Sequence, residues 1–176
     1  RSKEQFDIKK KKDIKNNIFM NYDKVNIYNN LINLARDKNL FINFTKKDTF
    51  SDRILIFLFH LGFFLRNYKS KSNKQFLQSF YDYTFRQIEL SIREIGYGDA
   101  TINKKMKIYV NVFHSIIGEI DSWSQFSEDE KFGIINKYIY LKNKDYRLVK
   151  YFDKYVHYLS KKSLNSFTKS VIDHRF

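Results

Sequence analysis

Apolar residues recur every three or four positions along most of the chain, the spacing that places side chains on one face of an α-helix. The clearest example runs from Ile102 to Trp123, where seven apolar residues lie 4, 3, 4, 3, 4 and 3 positions apart. We find no internal repeat and no useful length of the apolar–polar alternation that marks a half-buried strand. The pattern predicts an all-α protein, a single compact helical domain of about six helices.

The predicted helices are separated by short polar segments. They cover approximately residues 22–38, 51–67, 75–95, 101–123, 128–143 and 145–159, and a short further helix is expected within 163–176. The second contains the 12-residue run Ile54–Leu65, which is apolar nearly all round. Such a helix is typical of the centre of a domain. The run is too short to cross a bilayer, which takes about 20 apolar residues.

Helix ends are also marked in the sequence. Thr49 or Ser51 is expected to cap the second helix, with Asp52 in its first turn. Ser127 with Glu130 three positions later has the form of a capping box. Between the third and fourth apolar stripes stands Gly96-Tyr97-Gly98-Asp99, and glycine takes the left-handed conformation that ends many helices. We therefore predict an αα-hairpin centred on Gly96–Gly98.

The first twenty residues have a different character. Lys9–Lys12 is a block of like charge, and the segment shows no apolar face to bury. We therefore expect a basic flexible tail over residues 1–20 and a helical domain over residues 21–176.

Composition supports a helical protein and indicates the charge of its partner. The chain has no proline and only five glycines, so helix-breaking residues are scarce. Its formal net charge is +14, which attracts anionic partners such as RNA or an acidic membrane surface. Lysine is abundant together with Asn, Ile, Phe and Tyr, so part of this charge can be compositional. With no cysteine, disulfides and thiolate chemistry are excluded.

No catalytic or metal-binding pattern is present in the sequence. The four histidines are far apart, and none has a partner at the spacing of a zinc site. The phosphate-binding and nucleophile motifs are also missing. His60 lies inside an apolar helix, where a hydrogen-bonded core histidine is favoured over a ligand, including a haem ligand paired with His114. We predict that the protein is not an enzyme, has no cofactor, and works by binding another macromolecule.

Aromatic residues make up 18% of the chain, which is high. Core packing explains most of them in a helical protein. Some of the rings could instead line a groove for an apolar helix of a partner.

The third helix and the turn after it resemble a stretch of the ubiquinol–cytochrome c chaperone family. Phe80-x-Asp82-x-x-Phe85, followed by Ile92–Asp99 (IREIGYGD), is similar to that family's LFDxMF…LREMGVGD. Weaker similarities extend the resemblance to about residues 45–160. They are Phe50-x-x-Arg53, His60, Arg66, Lys104–Met106, Phe113-His114 and Asn136-x-Tyr138.

The resemblance implies a protein that binds newly synthesised cytochrome b while the respiratory cytochrome bc complex (complex III) is assembled. It also implies where a partner is contacted. The expected contact residues are Arg93, Glu94, Tyr97, Asp99, His60 and Arg66, and Gly96 and Gly98 are expected to shape the turn.

The same resemblance suggests further partners and a location. A ribosome or an anionic membrane surface would suit the basic exterior, and a small helical partner subunit is a further expectation. The bacterial type of turn favours the cytoplasm, at the inner face of the membrane, with the mitochondrial matrix as the alternative. A second interpretation remains open: a basic helical protein that binds RNA or the ribosome through its lysine-rich ends and has no membrane-protein client.

Overall fold

Helices make up about 80% of residues 2–42 and 49–169, the parts of the chain that this computed structural model describes. The α-helices are α1 (Ser2–Ala35), α2 (Phe50–Tyr68), α3 (Lys74–Glu94), α4 (Asp99–Ile120), α5 (Glu128–Tyr138), α6 (Arg147–Ser160) and α7 (Ser166–Lys169). Short 3-10 helices cover Lys38–Phe41 and Trp123–Gln125. These residues contain no β-strand, so the all-α class is confirmed.

The first helix is much longer than the sequence pattern predicts. It begins at Ser2 instead of about residue 22, so α1 includes nearly all of residues 1–20, the segment expected to form a basic flexible tail. Side chains 3–15 are all exposed, as expected for a segment without an apolar face. Apolar periodicity reveals only helices that bury a face. Lysine is a good helix former, and glycine and proline are absent from this segment. An exposed helix therefore forms here with no apolar pattern to reveal it.

Helix α2 is the centre of the fold, as its sequence predicts. Eleven of its 19 residues are buried, and α1, α4 and α6 pack around it. Its start is fixed by a capping box in which Thr49 Oγ1 accepts from the Asp52 N–H, 3.2 Å away, and Asp52 Oδ2 accepts from the Thr49 N–H. Within the described residues, no helix has the length and apolar character needed to cross a membrane.

Helices α2 and α4 approach closely at Gly62. A Cβ atom at this position would lie 3.1 Å from Cδ1 of Ile120 and 3.6 Å from Cγ2 of Ile116. Both isoleucines are fully buried, so glycine here makes room for apolar side chains of the facing helix.

Helices α3 and α4 pack against each other and are joined by the glycine turn. Gly96 has φ of +99°, the positive angle expected there, and its N–H donates to the carbonyl of Arg93. Gly98 has φ of −71° and is the N-cap residue of α4, so only Gly96 needs a positive φ. Ile95, which we expected at the end of the buried stripe, is instead 49% exposed because α3 ends just before it.

The other predicted helices are shorter at their C-terminal ends. Trp123 is buried, but it lies beyond α4 in a 3-10 helix. Helix α5 has the Ser127 capping box but ends at Tyr138 instead of about residue 143. The prediction of a short last helix within 163–176 is met by α7 up to Lys169, and later residues lie outside the described part of the chain.

We expect two glycine-to-alanine substitutions to change stability in opposite directions. Gly96→Ala should lower the free energy of unfolding by about 1 kcal/mol, because a Cβ is strained at positive φ. Gly133→Ala should raise it by about 0.5–1 kcal/mol, because Gly133 lies in the middle of α5 with open space where a Cβ would stand. Urea denaturation of both variants is the measurement. An unchanged midpoint in Gly96→Ala would contradict the role given to this turn.

Candidate functional site

The turn between α3 and α4 is held by an ion-pair cluster centred on Arg93. Its Nη1 donates to Oδ1 of Asp99 at 2.6 Å, and its Nε and Nη2 donate to Oε1 of Glu89 at 3.1 and 3.0 Å. These bonds raise the pKa of Arg93, the bond to Asp99 most and the bond to Glu89 next. Arg93 thereby connects the end of α3 to the first turn of α4. Two of the expected contact residues, Arg93 and Asp99, therefore also act as a clamp on the turn.

Two apolar side chains stand exposed on this clamped turn. Ile95 is 49% and Tyr97 is 43% exposed. The ammonium group of Lys105, on α4, lies 4.8 Å from the centre of the Tyr97 ring, a cation–π distance. The turn therefore presents apolar surface next to charged groups while its backbone is fixed by Arg93 and Gly96. We call the residues Arg93–Asp99 the turn site.

Glu94 belongs to the turn site but has a different role from its neighbour. Its side chain is exposed, and among the described residues no ion pair holds it. Glu94 is therefore available to a partner without breaking an ion pair, whereas Arg93 is already engaged.

Arg66 lies far from the turn site. Its Nε and Nη2 donate to the backbone carbonyl of Asp121, at 2.9 and 2.5 Å, just past the last residue of α4. Helix α4 has 22 residues and is about 33 Å long, so its two ends are well separated. Arg66 satisfies a free carbonyl at the negative end of α4, which stabilises that helix end. The structure does not bring Arg66 together with Arg93–Asp99.

His60 is completely buried, so it offers no surface to a partner in this conformation, and we correct its place among the contact residues. Its Nδ1 lies 2.8 Å from the carbonyl of Ile56, and its Nε2 lies 2.6 Å from the hydroxyl of Tyr151 on α6. A carbonyl can only accept, so Nδ1 carries the proton and Nε2 accepts from Tyr151. Burial raises the pKa of Tyr151, which keeps its hydroxyl protonated. His60 is thus the hydrogen-bonded core histidine that its sequence context favours.

Other polar contacts were not predicted from the sequence. The hydroxyl of Tyr81 on α3 lies 3.1 Å from Nε2 of His114 on α4, and this pair bridges the hairpin. Lys105 was noted only as part of the family-like segment. No periodic pattern links residues on opposite sides of a turn. A single sequence therefore gives no signal for the contact of Tyr81 with His114 or for that of Lys105 with the Tyr97 ring. In residues 2–42 and 49–169 no group of three acidic, histidine or cysteine residues is placed to hold a metal ion.

We expect Tyr151→Phe to lower the free energy of unfolding by about 1–3 kcal/mol, because it removes the donor to buried Nε2 of His60. Tyr155→Phe is the matched control. Tyr155 is also on α6 and donates to the backbone carbonyl of His60, at 3.0 Å, but that carbonyl lies inside a helix and has its own helical partner. We therefore expect a smaller loss, about 1 kcal/mol. Denaturant unfolding of both variants measures the two losses of stability. An equal or larger loss in Tyr155→Phe than in Tyr151→Phe would contradict this account of His60.

Comparison with known proteins supports the resemblance seen in the sequence. The family model for the ubiquinol–cytochrome c chaperone matches residues 43–173, which include the turn site. Among solved structures the chain is similar to the crystal structure of the Cbp3 homolog from Brucella abortus, with a TM-score of 0.69 and 19% sequence identity. That match covers 88% of this chain and 89% of the other, and at this identity it shows a shared fold. None of the curated proteins compared with the chain matches it. Since the family model spans well over half of the chain, the protein belongs to the ubiquinol–cytochrome c chaperone family.

Proposed function

We propose that the protein is an assembly chaperone that binds newly made cytochrome b during biogenesis of the cytochrome bc complex. The observation that carries the proposal is the turn site, an exposed and clamped element within the segment that the family model matches. Family membership supports a chaperone of cytochrome bc assembly, and the choice of cytochrome b as client is our inference. A chaperone that holds a client needs a binding surface more than it needs catalytic groups, so we propose that the protein is not an enzyme.

The turn site has the chemistry that a partially assembled membrane protein requires. Ile95 and Tyr97 offer apolar contact, and Glu94 and Lys105 offer charges of both signs within the same region. Clamping by Arg93 means that little conformational entropy is lost when the turn binds, since its backbone is already ordered. We propose that Glu94 and Tyr97 contact the client, and that Arg93 and Asp99 hold the turn in shape.

The exposed half of α1 is a separate binding surface. Six lysines and three acidic residues lie in residues 3–15, and every one of these side chains is exposed. Its exposed apolar residues, Phe6, Ile8 and Ile14, do not lie on one face of the helix, so it lacks the stripe that inserts into a membrane interface. We propose that it holds the protein electrostatically at an anionic surface, of the ribosome or of the inner face of the membrane. This would place the protein beside the site where cytochrome b is made and inserted.

This lysine-rich helix also favours a second candidate function, binding of RNA without a membrane-protein client. Phosphate contacts release counterions, so such binding weakens steeply with salt. Apolar retention of a client at the turn site would persist at high salt. A small helical partner subunit, implied by the family resemblance, is compatible with both candidates.

Loss of the protein should lower the amount of assembled cytochrome bc complex while cytochrome b mRNA stays normal. The charge-exchanged variant Arg93→Glu/Glu94→Arg should reproduce much of this loss, although its melting temperature changes only slightly, because exposed ion pairs contribute little to stability. Exchanging the exposed pair Asp129 and Lys144, which lies outside the turn site, is the control and should leave assembly intact. Haem spectra of membranes give the measurement. Normal cytochrome b spectra in cells lacking the protein would refute the chaperone function and favour RNA binding.

Removing residues 1–15 should abolish salt-sensitive binding to anionic surfaces and leave the helical domain folded, since no side chain of residues 3–15 is buried. Co-sedimentation with vesicles containing phosphatidylglycerol, and with ribosomes, measures the binding, and circular dichroism measures the fold. The control is a full-length chain with Lys104, Lys105 and Lys107 changed to glutamine, which removes positive charge from the surface of α4 instead. Equal binding by the truncated and intact chains at low salt would show that α1 is not the anionic contact.

A further inference from the structure

Helices α1 and α3 pack side by side and meet at two tyrosines. The ring centres of Tyr28 on α1 and Tyr83 on α3 are 5.9 Å apart, and the ring planes lie at 89° to each other. Tyr28 also contacts buried Phe57 of α2, with ring centres 5.8 Å apart. Both tyrosines are half-buried. Because two helices that pack side by side leave a groove between them, these rings form the floor of a groove at the protein surface.

Apolar side chains continue from these tyrosines along both helices. On α1, Val25, Tyr28 and Ile32 follow one another at the spacing that places them on one side of the helix. On α3, Leu90 lies two turns after Tyr83 on the same side. Val25 is 40% and Leu90 is 39% exposed, and Ile32 is half-buried. Single exposed apolar residues are ordinary on a protein surface, but these follow the line along which two helices meet. We call the five residues Val25, Tyr28, Ile32, Tyr83 and Leu90 the α1–α3 groove.

Glu94 connects the α1–α3 groove to the turn site. It follows Leu90 by four residues, so the two side chains are neighbours on the surface of α3. Burial is the largest cause that raises the pKa of Tyr28. Among charged groups, Arg36 lowers this pKa and Glu94 raises it, so both lie within electrostatic range of the Tyr28 hydroxyl. One end of the groove is therefore bordered by Glu94 and Arg36.

The charges at this end favour a basic partner, although the protein as a whole is strongly basic. Glu94 is exposed, and no ion pair holds it in the part of the chain that the structure describes. Its neighbour Arg93 is already paired with Glu89 and Asp99. Arg36 follows the last residue of α1, where the negative end of the helix dipole offsets part of its charge. A lysine or arginine of a partner would therefore gain an ion pair with Glu94.

We propose that the α1–α3 groove binds an apolar helix of the client, and that a lysine or arginine next to the end of that helix pairs with Glu94. The proposal rests on the proposed function for the existence of a client. It goes further by naming the segment of the client that is bound and the second surface, beside the turn site, that binds it.

The occupant follows from the length and the charge of the groove. From Tyr83 to Glu94 helix α3 rises by about 16 Å, so the groove covers about half of a transmembrane helix. Loops on the inner side of a membrane carry an excess of lysine and arginine close to the ends of the transmembrane helices. A transmembrane helix that has not yet been inserted therefore combines an apolar stretch with the basic flank that Glu94 would bind.

Binding of three peptides to the full chain tests the proposal. Each is an acetylated and amidated helical peptide of leucine, alanine and glutamine, and near the C-terminus it carries two lysines, two glutamines or two glutamates. Fluorescence anisotropy measures the affinities. The lysine peptide should bind several-fold more tightly than the glutamate peptide, although the net charge of +14 favours the glutamate peptide. Equal affinities, or tighter binding of the glutamate peptide, would overturn the proposal.

Substitutions locate the bound peptide. Glu94→Gln should remove the preference for the lysine peptide, and Leu90→Gln should weaken binding of all three peptides several-fold. The matched controls are Glu128→Gln, which removes another exposed carboxylate, and Ile108→Gln, which removes another exposed apolar side chain. Both controls should bind as the wild type does. Because all four side chains are exposed, circular dichroism should show folded chains. A preference that persists in Glu94→Gln, or wild-type affinity in Leu90→Gln, would overturn the proposal.

A second copy of the chain is the other occupant that an apolar groove could take. Sedimentation of the free protein tests it. A monomer in the concentration range of the peptide measurements is the result expected here. A dimer that Leu90→Gln dissociates and Ile108→Gln does not would assign the groove to a second copy and overturn the proposal.

The outcomes also distinguish this proposal from the proposed function. The peptides are not cytochrome b, so the lysine peptide can bind in the groove even if cytochrome b is not the client. Normal assembly of the cytochrome bc complex in cells lacking the protein would refute the function and leave the peptide binding unchanged. Conversely, wild-type binding by Leu90→Gln would refute the groove and leave the turn site as the client contact.

Discussion

Burial of α2 on nearly all sides is the constraint on which the rest of the structure depends. A helix that is apolar around its circumference must be covered by other helices, and α1, α4 and α6 do this. Packing against these three helices places specific requirements on individual residues of α2. Gly62 makes room for the isoleucines of α4, and buried His60 needs the hydroxyl of Tyr151. Near its C-terminal end, Phe64 and Tyr68 receive Phe167 of α7. The buried residues of α2 serve this packing, and the exposed side chains of the turn site and of residues 3–15 lie outside it.

The sequence predicted those parts of the fold in which one local signal decides the structure. A cap at Thr49 or Ser51 and the capping box at Ser127 predict two helix starts, and the structure places the first cap at Thr49. The buried stripe of α4 follows directly from its spacing. The positive φ of Gly96 is likewise a local requirement of a turn between two helices. The part of α1 over residues 3–15 escaped prediction because all its side chains are exposed, so periodicity carries no information about it.

The site was less predictable because its contacts join distant parts of the chain. Arg93 was identified by the family-like segment, and its pairing with Glu89 is readable from their i, i+4 spacing, but its bond to Asp99 needs the geometry of the turn. His60 and Arg66 belong to the same family-like pattern, yet both make contacts within the protein, buried His60 with α6 and partly exposed Arg66 with the end of α4. The aromatic pocket that Phe64, Tyr68 and Tyr158 form around Phe167 had only a compositional signal, the high aromatic content. Its members come from three helices far apart in sequence, and only the packing around α2 brings them together.

The most direct test of the central claim is site-specific photo-cross-linking during synthesis of cytochrome b. The full chain, carrying a photoreactive amino acid at position 97 in the turn site, is added to a translation reaction that makes cytochrome b, and a chain labelled at exposed position 140 is the control. The account predicts a cross-link from position 97 to cytochrome b that survives a high-salt wash, with little or none from position 140. A cross-link to ribosomal RNA alone, or none to cytochrome b from position 97, would contradict it.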